Sequence, residues 1–484
     1  MGRLRPRFKG HEQGRTKRSP TDLHDAAVRH FLSKRYGPAE DRCRQALALD
    51  PKHADSLHLL GLVYWQTNRL DLGVDLIGSA IRCNPNNHEY FLNLGELLRV
   101  QNKLDDARKS FDIAIKLAPN LAAGWIKLGN LLRIQRRYDE VLLAYDHAFT
   151  LDPDNAEAAA LSGGVLLELG RYEEALAKCD RSLAISPNQV DALCVKGDCL
   201  RNLGRPAEAA GSYRRASELE PNRVAVWRLL GQVLEQLGDR DGAIKALRRA
   251  REIDPSDPLG AGVELMRMGA DELSEMPSAF VRSLFDQYAS TFDAALVERL
   301  GYRGPSVLFE AVRSACRAQQ KPAHFKNAID LGCGTGLAAA AFAEMVDQFV
   351  GIDLSPGMIE KARATGLYAQ LKVTDMLEGL RLTPDSGVEL VLSADAMVYV
   401  ADLFPVLKEA SRVLAPGGLL AFSLERHEGD GLIMGEGRRY AHSDSYVRAS
   451  IEAAGLVVLR HEQQSIRNER GAPVPGLVIV AEKS

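Results

Sequence analysis

Proline recurs every 34 residues through the first half of the chain, at 51, 85, 119, 153, 187, 221 and 255. Glycine follows the same step at 61, 95, 129, 163, 197 and 231. Alanine follows it at 46, 80, 114, 148, 216 and 250, with Ser182 in the remaining place. A fixed period of this length points to a stack of helical hairpins. One hairpin cannot bury its apolar face alone and must lay it on the next. A fourth column is small or branched: Ala39, Gly73, Ala107, Val141, Ala175, Ala209 and Ala243. These small residues belong where two helices approach closely. The larger column Cys43, Ile77, Phe111, Tyr145, Cys179, Tyr213 and Leu247 fills the space between them. Proline stops the second helix of each unit.

These columns resemble the tetratricopeptide repeat, in seven repeats of 34 residues over 20–257. The first repeat carries Ala27 in the glycine column and reads as a cap. The resemblance implies a peptide groove lined by the first helix of each hairpin, where Arg99, Asn130, Arg133, Arg201 and Arg228 would fall. Arginines there suit an acidic peptide; the alternative is a solvated face. The family's two-carboxylate clamp needs Lys and Asn in consecutive repeats. Only Asn130 stands in the usual Asn column, so that role is not carried over. Protein docking and self-association both remain as uses of the array. Residues 258–277 break the period and are expected to form a capping helix (259–268) and a linker. Residues 1–19 carry seven Lys/Arg against Glu12 and read as a disordered basic tail. Without interleaved aromatics, nucleic acid is not the expected partner.

Composition sets limits. Apolar residues make up 46% of the chain, enough for well-formed cores, and the net charge is −3. The seven cysteines are scattered and form no Cys-x-x-Cys pair. That pattern predicts a reducing, cytoplasmic setting with no disulfide framework and no metal site. No apolar run reaches membrane-spanning length, and no secretory leader is expected.

The second half changes grammar at residue 325. Residues 325–331 read as a buried parallel strand, followed by Gly332, Gly334 and Gly336 at alternate positions. A bare backbone there can take positive φ and approach a ligand. Residues 337–345 are strongly helix-forming, so the turn opens a helix N-terminus. A second strand, 348–354, carries Asp353, 21 residues after Gly332, at the place of a ribose-binding acid. Gly-x-Gly-x-Gly differs from the dinucleotide pattern and favours a nucleoside without a pyrophosphate. S-adenosylmethionine is the obvious candidate. Further strands are expected at 369–373, 388–393 and 419–424, with helices at 278–300, 305–318, 404–414 and 443–454. Two strands, 456–461 and 477–481, close the chain as an antiparallel hairpin.

Residues 278–484 resemble a class I S-adenosylmethionine-dependent methyltransferase. The resemblance rests on AIDLGCGTG (328–336), GIDLSPGMIEKAR (351–363), Asp375-Met376 and RVLAPGGLLAFSLE (412–425). FDQYASTFD (285–293) and RRYAHS (438–443) are similar to bacterial members that carry tetratricopeptide repeats. The implied architecture is an all-α repeat solenoid followed by a Rossmann-like, seven-stranded α/β domain. The implied cofactor contacts are Asp330, Gly332, Cys333, Gly334 and Gly336 at the methionine end, and Asp353 with Leu354 at the ribose. Met358, Asp375 and Met376 are implied at the adenine, Tyr288 on a covering helix, and Asp395 where donor and acceptor meet.

The donor sulfonium is already activated, so alignment and water exclusion supply most of the rate. If the acceptor needs a base, the candidates are His442, Asp395 and Tyr399. Arg439 and Tyr440, with Arg467 and Glu469, are candidates for the acceptor side. Residues 429–437 are glycine-rich and are expected to move as a lid. The leading function is methyl transfer to a small molecule, with the repeats for docking or oligomerisation. The alternatives are a protein methyltransferase whose repeats grip the substrate, and an adaptor with a catalytically weak fold. The acceptor is not legible.

Overall fold

The computed structural model describes residues 19–270, 275–289, 292, 301–435, 437–469 and 471–484. The basic tail up to residue 18, and most of the expected helix beyond 289, lie outside the described residues. The chain divides into two compact units, Met1–Leu219 and Glu220–Ser484.

The first unit is six helical hairpins. They pair α1 (Pro20–Leu32) with α2 (Tyr36–Leu49), α3 (Ala54–Gln66) with α4 (Leu70–Cys83), and α5 (His88–Val100) with α6 (Leu104–Leu117). Then come α7 (Ala122–Ile134) with α8 (Tyr138–Leu151), α9 (Ala156–Glu168) with α10 (Tyr172–Ile185), and α11 (Val190–Asn202) with α12 (Pro206–Leu219). The glycine column exists because the large column packs into it. A Cβ on Gly129 would stand 2.4 Å from the Tyr145 ring, and one on Gly95 2.5 Å from Phe111. Where the ring is tyrosine, its hydroxyl is satisfied across the hairpin. Tyr145 donates to Asn130 at 2.6 Å and Tyr213 to Asp198 at 2.8 Å.

A further column of the 34-residue period emerges only in three dimensions. Lys34, Asn68, Asn102, Arg136, Gly170 and Gly204 all have φ between 56° and 73°. Each follows the first helix of its hairpin as a left-handed residue. After α3, Arg69 N–H returns to Tyr64 O at 2.7 Å and Asn68 N–H to Trp65 O at 3.0 Å. That is the Schellman stop, which satisfies the last carbonyls of the helix.

The second unit begins with a seventh hairpin, α13 (Val224–Gln236) and α14 (Arg240–Ile253). A short helix, α15 (Ala261–Arg267), follows; buried Asp257 accepts from Ala261 and Gly262 N–H, both at 2.7 Å. Next come α16 (Ser278–Tyr288) and α17 (Gly304–Ala318). Gly260 is left-handed, and a Cβ there would stand 2.6 Å from the Phe280 ring of α16. Phe280 and Val281 then join Val263 of α15 and Tyr440 in one apolar cluster. The expected boundary at 257–278 and the division at Leu219 are therefore different boundaries: α13 to α15 share a unit with the sheet.

The parallel strands are β1 (Phe325–Leu331), β2 (Val346–Asp353), β3 (Tyr368–Val373), β4 (Val388–Ser393) and β5 (Leu414–Arg426). The helices between them are α18 (Leu337–Phe342), α19 (Pro356–Thr365), α20 (Met376–Arg381) and α21 (Leu403–Val413). After β5 come β6 (Leu432–Met434), β7 (Tyr440–His442), α22 (Asp444–Ala453), β8 (Leu456–Gln463), β9 (Asn468–Glu469), β10 (Ala472–Pro473) and β11 (Gly476–Lys483). The main path runs β3-β2-β1-β4-β5-β11-β8, with β11 antiparallel to both neighbours. Successive residues feed opposite faces, as a doubly covered sheet requires. Ile329, Val391, Phe422 and Ile479 face α21 and α22, while Ala328, Leu390, Ala421 and Val478 face α17 and α18.

Within the glycine-rich stretch, β6 pairs antiparallel with β7, and β7 pairs parallel with β5. One expectation is corrected here. The Ala-Pro-Gly-Gly stretch does not precede the fifth strand but lies inside it. The β4–β5 register shifts there, between Val388 and Leu390.

Candidate functional site

The order of the sheet reverses at β1, whose neighbours are β2 and β4. In open α/β sheets a crevice forms at that point, outside the carboxyl ends of the strands. Here it is a cavity of about 1400 Å³. The turn after β1 forms one wall. Gly332, Gly334 and Gly336 have φ of 69°, 53° and 100°, a region that costs other residues strain. A Cβ on Gly332 would also stand 2.3 Å from Ala396 Cβ. The turn is fastened to β2, since Gly332 and Cys333 N–H donate to Ile352 O at 2.8 and 3.0 Å.

Asp353 ends β2 on the cavity wall. Its two oxygens accept from Gly334 N–H and Ser355 N–H, each at 2.9 Å. Burial pushes its pKa up, and these backbone donors oppose the shift. Carboxylate oxygens have further lone pairs, so Asp353 can still accept from a ligand. Cys333, Leu354, Asp375, Met376 and Tyr288 share the wall. Asp375 also caps α20 by accepting from Glu378 N–H at 2.9 Å. Tyr399 lies on the wall with its ring edge-on to Phe285 at 5.4 Å.

Asp395 follows β4 with φ of 59° and meets a buried guanidinium, Arg467. Arg467 also contacts Glu425, and its Nε lies 3.3 Å from Glu469. Arg439 bridges Glu425, at 2.5 Å, and Glu469. Asp395, Arg439, Arg467 and Glu469 all reach the wall. Burial raises the Asp395 pKa, against the pull of Arg467.

Other sequence candidates are not brought to the wall. Asp330 is buried behind it, accepting from the Tyr368 hydroxyl at 2.7 Å, and burial pushes its pKa up to about 7. Gly336 caps α18 and Met358 is fully buried in α19. His442 points inward because β7 is a sheet strand. Its Nε2 lies 3.1 Å from Val400 O, its ring stacks on Tyr446, and burial pushes its pKa down to about 4. Tyr440 is buried with its hydroxyl toward Met266 Sδ at 3.5 Å.

The groove candidates of the repeats are also engaged. Arg99 lies 2.9 Å from Glu96, Arg133 3.6 Å from Glu168 and Arg201 3.2 Å from Asp198. The Asn130 carbonyl is taken by Tyr145. Arg228 lies half-buried on α13. Tyr302 on the wall and Glu425, which holds Arg439 and Arg467, carry no site signal in the sequence. Asp286 accepts from Gly357 N–H at 3.2 Å and so ties α16 to α19.

Residues 329–422 match the family profile described as a methyltransferase domain. Five overlapping or successive stretches between 33 and 258 match the tetratricopeptide repeat. The chain thus carries a tetratricopeptide repeat region together with a methyltransferase domain. It is 32% identical over 143 residues to human methyltransferase-like protein 27, covering 29% of this chain and 55% of that protein. It is 33% identical over 156 residues to the malonyl-[acyl-carrier protein] O-methyltransferase of Methylovorus sp. (strain MP688), covering 30% and 49%. It therefore spans about half the length of these curated relatives. Among solved structures, YrrB, a TPR protein with an unusual peptide-binding site, is 24% identical with a TM-score of 0.33; the match covers 39% of this chain and 97% of that one.

Proposed function

We propose that this chain is a class I methyltransferase that moves the methyl group of S-adenosylmethionine to a small-molecule acceptor. The observation that carries the reading is Asp353, ordered by two backbone N–H groups beside a turn with no Cβ at Gly332 and Gly334. The pair fits a nucleoside whose ribose offers two hydroxyls and whose amino-acid end lies on a bare backbone. The donor is a substrate, and its sulfonium supplies an already activated methyl group.

The chain's own residues bind and align. Asp353 accepts from the ribose, Asp375 and the Met376 backbone take the adenine edge, and the 332–334 turn supports the methionine end. Tyr288 and Tyr399 cover the donor and exclude water. Asp395, fixed by Arg467, and Tyr399 remain the candidates for proton removal, since His442 lies off the wall.

Residues 278–484 are proposed as the catalytic domain, and 20–257 as an array that docks a protein or a second copy. The described cysteines are free, and no described helix is long and apolar enough to cross a membrane. Both features fit work in the cytoplasm. Donor labelled in its methyl group, incubated with the chain and a cell extract, tests the reading. Label in small molecules supports it; label confined to protein favours the protein-methyltransferase alternative, and no transfer contradicts both.

A further inference from the structure

The charge balance of the cavity bears on what it can methylate. Four arginines lie on its wall among the described residues: Arg381, Arg438, Arg439 and Arg467. Arg381 is half exposed and only loosely paired, 3.9 Å from Glu378, whereas the other three are held closely by carboxylates, Arg438 by Glu264 at 2.6 Å. Arg439 and Arg467 share Glu425 and Glu469, and Arg467 also holds Asp395. Three carboxylates thus enclose two guanidiniums, and Arg467 is only 3% exposed. Asp353 and Asp375 add two further carboxylates, held by backbone N–H groups. No described lysine lines the cavity.

Among the described residues beside Asp395, an arriving carboxylate would meet only guanidiniums already held by carboxylates, and would have to break one of those pairs in a partly desolvated site. Breaking such a pair leaves a buried charge without compensation. The donor brings one net positive charge, which offsets only part of the surplus. A cation is therefore the complementary second ligand.

We propose that the methyl acceptor of this site is an amine and not a carboxylate or other anion. The inference rests on the methyl-transfer reading. The acceptor arrives as an ammonium and loses one proton to the carboxylate side of the cluster, at Glu469 or Asp395. The freed nitrogen lone pair then attacks the methyl carbon. A C–N bond forms, and the C–S bond breaks with its electron pair remaining on sulfur. The positive charge passes from sulfur to the methylated nitrogen, which releases its extra proton to solvent.

The test has a binding arm and a product arm, both on the full chain. Phenethylamine and phenylacetate share a carbon skeleton and differ in charge. Each is titrated into the protein saturated with S-adenosylhomocysteine. Tighter binding of the amine supports the proposal; tighter binding of the acid, or binding of neither, counts against it. In the product arm, methyl-labelled donor is incubated with a deproteinised metabolite extract. An amine product is stable to mild base and is retained by a cation exchanger. Label released by base as methanol marks an ester and overturns the proposal, as does a base-stable neutral ether. Failure to bind the donor at all would instead sink the methyl-transfer reading. Glu469→Gln should weaken phenethylamine binding about tenfold to a hundredfold and leave donor affinity in place.

Discussion

Glu264 on α15 holds Arg438, on the cavity wall, at 2.6 Å. Glu264 is almost fully buried and also accepts from Gln232 of the last repeat hairpin at 2.9 Å. One carboxylate therefore joins a repeat helix to the rim of the candidate site. Around it, Val263, Phe280, Val281 and Tyr440 form a shared apolar cluster.

That arrangement predicts where the chain can be cut. A fragment of residues 220–484 should fold and bind the donor. A fragment of residues 278–484 loses Glu264, Val263 and Met266, exposing Tyr440 and leaving Arg438 without its partner. It should melt at least about 5 °C lower or aggregate. Thermal scans of both fragments check this; equal melting temperatures would show that α13 to α15 are dispensable.

In the first unit, Gly129→Ala should destabilise the array by about 1–3 kcal/mol, because the new Cβ must push against the Tyr145 ring. Gly164→Ala on α9, where nothing lies within 4 Å, should be neutral or slightly stabilising. Urea titrations of the two variants separate the cases. Equal midpoints would contradict the packing account of the glycine column.

The ease of reading the repeats has a physical cause. Every column answers one contact that recurs seven times, so Gly129 and Tyr145 stand out by repetition. The left-handed column from Lys34 to Gly204 was missed because lysine, asparagine, arginine and glycine share no side-chain property, only a backbone conformation. In the second half the 332–336 turn and Asp353 stand out because alternate glycines after one strand and an acid ending the next are local signals, and the structure brings Gly332, Gly334 and Asp353 to the wall of one cavity. His442 was misplaced for the opposite reason. The stretch around it reads as a polar loop, yet β7 joins the sheet beside β5 and turns the ring inward. Glu425 and Tyr302 carry no local signal, since only tertiary packing brings them to Arg467 and the wall.

His442 also predicts a pH dependence. Its native pKa, about 4, lies below the ordinary 6.5. Between those values the unfolded state binds more protons than the native one, so stability falls as pH drops through that window. His442 would contribute at most roughly 3 kcal/mol to the loss. His442→Gln should flatten the fall between pH 6.5 and 4, without weakening donor binding. Denaturation midpoints for the second unit at pH 5 and 7 test this; an unchanged slope would place the charge elsewhere.

Asp330 acts with the opposite sign. Its native pKa of about 7 exceeds the ordinary 3.8, so the native state keeps a proton that the unfolded chain gives up. Its contribution is fully present below pH 3.8 and is lost as pH rises through about 7. Relative to the parent chain, Asp330→Asn should therefore gain stability from pH 4 to pH 8. Paired melting curves at the two values decide it; a constant difference would argue against a proton held there.

The central claim is that Asp353 recognises the donor's ribose. Calorimetric titration of S-adenosylmethionine into the full chain and into Asp353→Ala tests it most directly, with a melting curve to confirm that the variant is folded. Loss of charge-assisted hydrogen bonds worth about 1.5–3 kcal/mol should weaken binding roughly tenfold to a hundredfold. Equal affinity for a folded Asp353→Ala variant would contradict the account.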